Sequence, residues 1–122
     1  MNEASPLNAA AIERLLRLGG EKFVVEMIDL YFSYGAQKMK AAHQAFQAGD
    51  ARALAEAVHP LRSSAGNVGA SAVQELAAQV ERAAQEQKTE LAGAQLNELE
   101  RAFAASCSLL TAERARLARP PA

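Results

Sequence analysis

Long helix-forming stretches, each closed by a turn signal, most constrain the fold of this 122-residue chain. Residues 21–48 contain no proline, and apolar side chains recur among them near helical spacing. Gly19-Gly20 precedes this stretch, and Gly49-Asp50 follows it as a C′ glycine and a helix N-cap. The 29 alanines favour helices, since alanine is the best helix former, and the few aromatic and β-branched residues argue against a sheet. The pattern predicts an all-α protein.

Similar signals predict the other helices. A short helix starts at the cap-like Ser5-Pro6 and Asn8 and ends at Leu18. Three more helices follow, and the first of them covers about 51–66. The second runs from Ala72 to about 87 behind a Ser71/Gln74 capping box, and the third runs from a Thr89 cap to about 117. Short turns between such helices predict an antiparallel four-helix bundle with a short N-terminal capping helix. We expect one domain over residues 1–122, with an ordered core at about 7–118.

The composition excludes several function classes. Lys+Arg number 13 and Asp+Glu 14, a formal charge of −1, so the basic footprint of a nucleic-acid-binding protein is missing. One cysteine forms no internal disulfide, and with two histidines it makes a poor zinc set. No apolar stretch approaches the ~20 residues of a membrane span, and the N-terminus lacks a signal-peptide core. We expect a soluble, cytoplasmic protein without cofactor, metal, nucleic-acid or membrane binding.

The helix predicted at 51–66 carries one unusual position, His59. The apolar stripe of this helix sets its buried face, and His59 lies one residue off that stripe, about 100° round from Val58. Its ring should therefore face water. Three of its four helical neighbours are small and the fourth is a cation one turn away. The stripe comprises Leu54, Val58, Leu61, Ala65 and Val68, and the neighbours are Ala55, Arg62, Ser63 and Gly66.

Such a histidine suits phosphoryl transfer. A neutral imidazole, with its ordinary pKa of about 6.5, is nucleophilic near pH 7, and an adjacent guanidinium can stabilise the negative charge of the transferring group. Small neighbours let donor and acceptor atoms approach closely. The alternative is an ordinary surface histidine in an alanine-rich helix. His43, by contrast, has bulky neighbours and is predicted to be a half-buried or surface residue without a task.

The run from Val58 to Ala70 resembles the signature of histidine-containing phosphotransfer (HPt) domains, roughly A-H-x-L-K-[GS]-[SA]-[SA]-x-x-[LVI]-G-A. The resemblance extends from about Leu7 to Leu117 and includes Leu30-Tyr31-Phe32, the Ala48-Gly49-Asp50 turn and the stretch Leu76 to Glu81. It implies a phosphorelay intermediate without autokinase activity, which takes a phosphoryl group from one receiver aspartate and passes it to another. The expected partners are receiver domains of response regulators or hybrid sensor kinases, and we expect a monomer.

The resemblance also implies roles for individual residues. His59 would be phosphorylated on the ring nitrogen remote from the backbone, and Arg62 stands where the family usually has lysine and would stabilise the phosphoryl group. Glu81 matches a position from which a Gln or Glu often hydrogen-bonds the other imidazole nitrogen. An ordinary solvated helix carboxylate is the alternative for Glu81. Gly66 matches the small position that lets the receiver approach, with Ala55 and Ser63 beside it, and Gly69 matches the glycine of the following turn.

Two departures from the family pattern stand out. Arg62 keeps the charge of the usual lysine but presents a planar fork in place of a mobile point charge. Pro60 lies inside a helix, where it removes an amide donor and predicts either a kink beside His59 or a tolerated bend. Ser63 and Ser64 are interpreted as packing residues, since no base accompanies them, and Cys107 as a small buried hydrophobe.

Two other function classes compete with the phosphorelay. A helical adaptor would dock a receiver or sensor kinase through the same surface without carrying phosphate. An enzyme with His59 as general base finds little support, because no nucleophile, metal set or phosphate loop accompanies the histidine. The presence of both His59 and Arg62 favours the phosphotransfer protein over the adaptor.

Overall fold

The computed structural model describes residues 6–118, which form four α-helices. Helix α2 packs on α1 and on α3, and α4 packs on α3 and on α1, which closes an antiparallel bundle. The all-α four-helix bundle predicted from the sequence is confirmed. The helix bounds are α1 Ala9–Gln47, α2 Ala51–Asn67, α3 Ser71–Gln85 and α4 Thr89–Ala118.

Helix α1 contains the short N-terminal helix that the sequence predicted. Helical structure is assigned without a gap from Ala9 to Gln47, but Gly20 leaves the helical region with φ 81° and ψ −175°, so the chain bends there. Glycine occupies that conformation without a steric penalty. The segment before the bend begins at Asn8, whose side chain accepts a hydrogen bond from the backbone N–H of Ala10 at 3.1 Å. Ser5, the other proposed start signal, lies outside the described residues.

The first turn of the bundle follows the sequence prediction. Gly49 has φ 70°, as a C′ glycine should, and Asp50 accepts a hydrogen bond from the backbone N–H of Ala53 at 3.0 Å. Both interactions are local, because each involves residues only a few positions apart. The conformation of this turn can therefore be predicted without the tertiary structure.

The second turn differs from its prediction. Helix α3 begins at Ser71, with Ala70 as N-cap and no side-chain cap, so the predicted Ser71/Gln74 capping box is wrong. The Ala70 carbonyl accepts the first helical bond, from Gln74, in a turn whose Gly69 carbonyl is bound by the distant Asn8 backbone. Helix α3 also ends two residues before its predicted end, at Gln85. The predicted Thr89 cap is likewise off by one residue, since Thr89 is already helical and the Lys88 carbonyl accepts from Ala92.

Gly69 joins this second turn to the start of α1. Its φ is 80°, and its carbonyl accepts a hydrogen bond from the backbone N–H of Asn8 at 2.8 Å. A Cβ at this position would lie 2.6 Å from the Asn8 carbonyl oxygen, so both the conformation and the close approach require glycine. The first segment of α1 is thereby tied to the end of the bundle where α2 passes into α3.

Helices α1 and α4 are joined by a buried polar contact. The Tyr31 hydroxyl lies 2.8 Å from Ser106 Oγ, which itself donates to the Phe103 carbonyl at 2.7 Å. Burial raises the pKa of Tyr31, so the hydroxyl stays protonated. Cys107 is half-buried rather than fully buried, and desolvation raises the pKa of its thiol.

Within 6–118, no helix combines the length and apolar character that a bilayer crossing needs. That part of the chain also contains no group of three or more His, Cys, Asp or Glu side chains placed to hold a metal ion.

Candidate functional site

The buried face of α2 is the one its sequence periodicity predicted. All five stripe residues are at most 2% exposed, and the side chain of His59 is 61% exposed. The imidazole therefore stands in solvent at the edge of the α2–α3 interface, as the helical spacing indicated. The buried stripe is Leu54, Val58, Leu61, Ala65 and Val68.

Pro60 does not interrupt the helix that carries His59. Helix α2 is assigned as one helix from Ala51 to Asn67 with the proline inside it. The kink beside His59 and the tolerated bend both stay predictions, since the helix assignment continues through Pro60 in either case. Pro60 therefore leaves His59 on a continuous helix.

Glu81 on α3 connects the side chains of His59 and Arg62 on α2. One carboxylate oxygen, Oε2, lies 2.7 Å from His59 Nδ1, and the other, Oε1, accepts a hydrogen bond from Arg62 Nη1 at 3.0 Å. The Glu81 side chain is only 12% exposed, whereas that of Arg62 is 47% exposed. A single well-enclosed carboxylate thus holds both groups, and the resemblance, not the helical periodicity, pointed to it.

This contact determines which ring nitrogen of His59 keeps a free lone pair. An ionised carboxylate only accepts hydrogen bonds, so Nδ1 must carry the ring proton. The lone pair of the neutral imidazole then belongs to Nε2, the nitrogen remote from the backbone. The geometry leaves a nucleophilic nitrogen on the exposed side of the ring and a proton donor on the enclosed side.

The pairing follows from the way the two helices bury their valines. His59 directly follows Val58, and Glu81 directly follows Val80, and both valines are fully buried in the core. One residue beyond a buried position turns the side chain about 100° round the helix, towards the edge of the interface. Because α2 and α3 pack side by side, the two edge residues meet.

The small residues expected to admit a partner lie in different settings. Ala55 is 8% exposed and lines an open cleft with His59 and Glu81, so it offers little surface of its own. Ser63 is exposed and Gly66 is half-buried. Beyond these, sequence reasoning missed Glu56 and Gln85, which complete the cleft, although Gln85 lies one turn beyond Glu81.

Gly66 packs beside α3. A Cβ at Gly66 would lie 2.8 Å from Nε2 of the exposed Gln74 side chain. That amide is the far end of a flexible side chain, so a larger residue at position 66 would displace it and project from the same face as His59. The residue seven positions after the histidine therefore controls how much bulk this face carries.

The Hpt domain family model matches residues 26–109, well over half of the chain. The chain belongs to the Hpt domain family. The matched region contains His59, Arg62, Gly66 and Glu81, so the whole site just described lies within the Hpt domain. None of the curated proteins compared matches the chain.

This Hpt domain also has a solved structural relative. It is similar to the crystal structure of histidine-containing phosphotransfer protein B (HptB) from Pseudomonas aeruginosa PAO1, with a TM-score of 0.86 and 26% sequence identity. The match covers 93% of this chain and 97% of that one. The chain is accordingly a histidine-containing phosphotransfer intermediate of phosphorelays, a phosphocarrier whose partners are receiver domains of two-component systems.

Proposed function

We propose that His59 is the residue of this Hpt domain that carries the phosphoryl group, on Nε2. The observation that carries the proposal is the contact between His59 Nδ1 and Glu81 Oε2, because it frees Nε2 on the exposed side of the ring. No other described histidine presents this arrangement, since Nε2 of His43 lies 2.6 Å from Glu100 Oε1 and has almost no accessible surface.

The transfer step requires no movement of the ring proton. The Nε2 lone pair attacks the phosphorus of a receiver aspartyl phosphate, and the bond from phosphorus to the carboxyl oxygen breaks, which releases the aspartate as carboxylate. The ring becomes an N-phosphorylated imidazolium that still holds its proton on Nδ1, next to Glu81. In the reverse step a second receiver aspartate attacks phosphorus, and the electron pair returns to Nε2. Glu81 acts as a positioning residue that fixes the tautomer in both directions.

Arg62 is proposed to stabilise the phosphoryl group during transfer. Its guanidinium lies one helical turn from His59 and is half exposed, so it can reach a group on Nε2. Charge develops on the equatorial phosphoryl oxygens, and a positioned cation lowers the barrier there. Ala55, Ser63 and Gly66 are proposed to lie under the docked receiver, where their small size admits in-line geometry.

The remaining parts of the proposal concern partners and location. The chain would obtain phosphate from receivers and not from ATP, which agrees with a sequence that has no glycine-rich phosphate loop. It would work as a cytoplasmic monomer, because a receiver must cover the exposed His59 face directly. Its formal charge of −1 supports protein rather than nucleic-acid partners.

Transfer from phosphorylated receivers of the same genome tests the proposal. We expect the wild-type chain to gain acid-labile phosphate, and His59→Gln to gain none. His43→Gln is the matched control, since it removes the other histidine–carboxylate contact and should behave as wild type. A chain that binds a receiver but never gains phosphate from any of them would instead be an adaptor.

A further inference from the structure

Glu81 contacts Arg62, which is always positively charged, and His59, whose ring becomes positively charged when it is phosphorylated. The charge around Glu81 therefore differs between the resting and the phosphorylated protein. The Glu81 carboxylate carries one negative charge, and among residues 6–118 Arg62 supplies the permanent positive charge in contact with it. The neutral imidazole of His59 adds only a hydrogen bond. The resting charges are therefore matched between Glu81 and Arg62.

Phosphorylation changes this balance. Attack by Nε2 leaves the ring as an imidazolium, whose positive charge lies against Glu81 through Nδ1. The new phosphoryl group carries up to two negative charges on the opposite side of the ring. The imidazolium now neutralises the Glu81 carboxylate. The positive charge of Arg62, one helical turn from His59, is then left to interact with the phosphoryl group.

We propose that phosphorylation of His59 moves the Arg62 guanidinium from Glu81 to the phosphoryl group, while Glu81 keeps the imidazole. This inference rests on the proposed function, since it requires a phosphoryl group on His59. It assigns Glu81 a second task, which is to hold Arg62 close to His59 until there is phosphate to bind.

Burial decides which of the two residues moves. The Glu81 side chain is 12% exposed and lies against the α2–α3 interface, so it stays with that interface. The Arg62 side chain is 47% exposed, and its contact with Glu81 uses one guanidinium nitrogen. The exposed Arg62 end of the pair is screened by salt, and the guanidinium can leave Glu81 because the imidazolium then neutralises that carboxylate. A phosphoryl dianion offers the guanidinium a stronger, bidentate acceptor.

Nuclear magnetic resonance on the full chain tests the exchange. Phosphoramidate phosphorylates the imidazole without a receiver: Nε2 attacks phosphorus, the P–N bond of the donor breaks, and the amine leaves as ammonia. The Glu81 carboxyl carbon is assigned from the signal lost in Glu81→Gln. We expect Arg62→Gln to shift this carboxyl signal in the resting protein and to leave it unchanged in the phosphorylated protein. In the phosphorylated protein the same substitution should shift the phosphohistidine ³¹P signal.

Arg52→Gln is the matched control. Arg52 lies two turns before His59 on the same helix, and its Nε contacts Glu56 Oε2 at 3.3 Å. Its substitution should shift the Glu56 signal equally in both states and leave Glu81 and the ³¹P signal unchanged. This separates the exchange from a general loss of positive charge on α2.

The outcomes separate the two proposals. If Arg62→Gln shifts the Glu81 signal equally before and after phosphorylation, Arg62 stays on Glu81 and the exchange is wrong, although His59 remains the phosphorylated residue. A Glu81 signal that ignores Arg62→Gln in the resting protein overturns the exchange as well. If phosphoramidate labels no nitrogen of His59, the proposed function fails, and the exchange fails with it.

Discussion

Two histidines of this Hpt domain each meet a glutamate across a helix interface, and the two pairs differ in the ring nitrogen that makes contact. Glu81 on α3 approaches Nδ1 of His59 at 2.7 Å, and Glu100 on α4 approaches Nε2 of His43 at 2.6 Å. The first contact leaves the remote nitrogen free, whereas Nε2 of His43 is buried against Glu100 without hydrogen-bond geometry. The same two residue types therefore produce an open nucleophile in one place and a closed pair in the other.

The surroundings reinforce this difference. His59 is 61% exposed and has Arg62 within one turn, whereas His43 is 34% exposed and has Met39, Lys40, Phe46 and Gln47 as helical neighbours. A partner domain can approach Nε2 of His59, while Nε2 of His43 has almost no accessible surface. A histidine–carboxylate contact is thus not by itself a sign of reactivity. The nitrogen that remains accessible is what matters.

The largest expected effect breaks the comparison at the histidines themselves. His59→Gln should reduce phosphoryl acceptance from a cognate receiver by at least about 100-fold, because no other nucleophile replaces Nε2. His43→Gln should stay within about twofold of wild type, since Nε2 of His43 has almost no accessible surface. Gel-based transfer of radiolabelled phosphate measures both. Labelled phosphate on the His59→Gln protein would show that a different residue carries the group.

The next effect concerns the space around the two pairs. Gly66→Gln should weaken receiver binding at least about tenfold, since it adds bulk to the face that carries His59. Ala104→Gln is the control, because the exposed Ala104 lies one turn beyond Glu100 and enlarges the surface beside His43 instead. Titration calorimetry gives both affinities. Equal affinities for both variants and wild type would mean that the receiver does not cover the Gly66 face.

Arg62 shares the Glu81 carboxylate with His59, and its removal tests what that arrangement contributes. Arg62→Ala should slow transfer about tenfold while weakening receiver binding less than about threefold, because the guanidinium acts mainly on charge that develops in the transition state. Single-turnover rates and affinities are measured side by side, with Arg52→Ala as control. Equal losses in rate and affinity would make Arg62 a simple contact residue.

The smallest effect compares the two glutamates. Glu81→Gln should slow transfer only about threefold to fivefold, since the amide oxygen can still accept from Nδ1 but no longer compensates the imidazolium charge. Glu100→Gln should leave the rate unchanged. Nitrogen-15 shifts of the imidazole would check that Nδ1 keeps its proton in Glu81→Gln and loses this preference in Glu81→Ala. A Glu81→Ala protein with the wild-type rate and tautomer would remove Glu81 from the site.

Local signals predicted much of the fold. The buried stripe of α2, the Gly49 and Asp50 turn and the bend at Gly20 all depend on residues within one or two helical turns. The capping box at Ser71 failed because the α2–α3 turn is shaped by a distant partner, the Asn8 backbone bound to Gly69. Local pattern cannot anticipate a turn whose conformation is set by another part of the chain.

The sequence by itself determined that the protein is an all-α bundle and that His59 faces solvent beside Arg62, because helical periodicity fixes which side of α2 is buried. It also carried the family signature that pointed to Glu81. The tertiary structure is needed to show that the Glu81 carboxylate reaches both Nδ1 of His59 and Arg62, and that Glu100 lies against Nε2 of His43. Those contacts depend on the axial register between packed helices, which is set by how their buried side chains interlock and not by either helix alone.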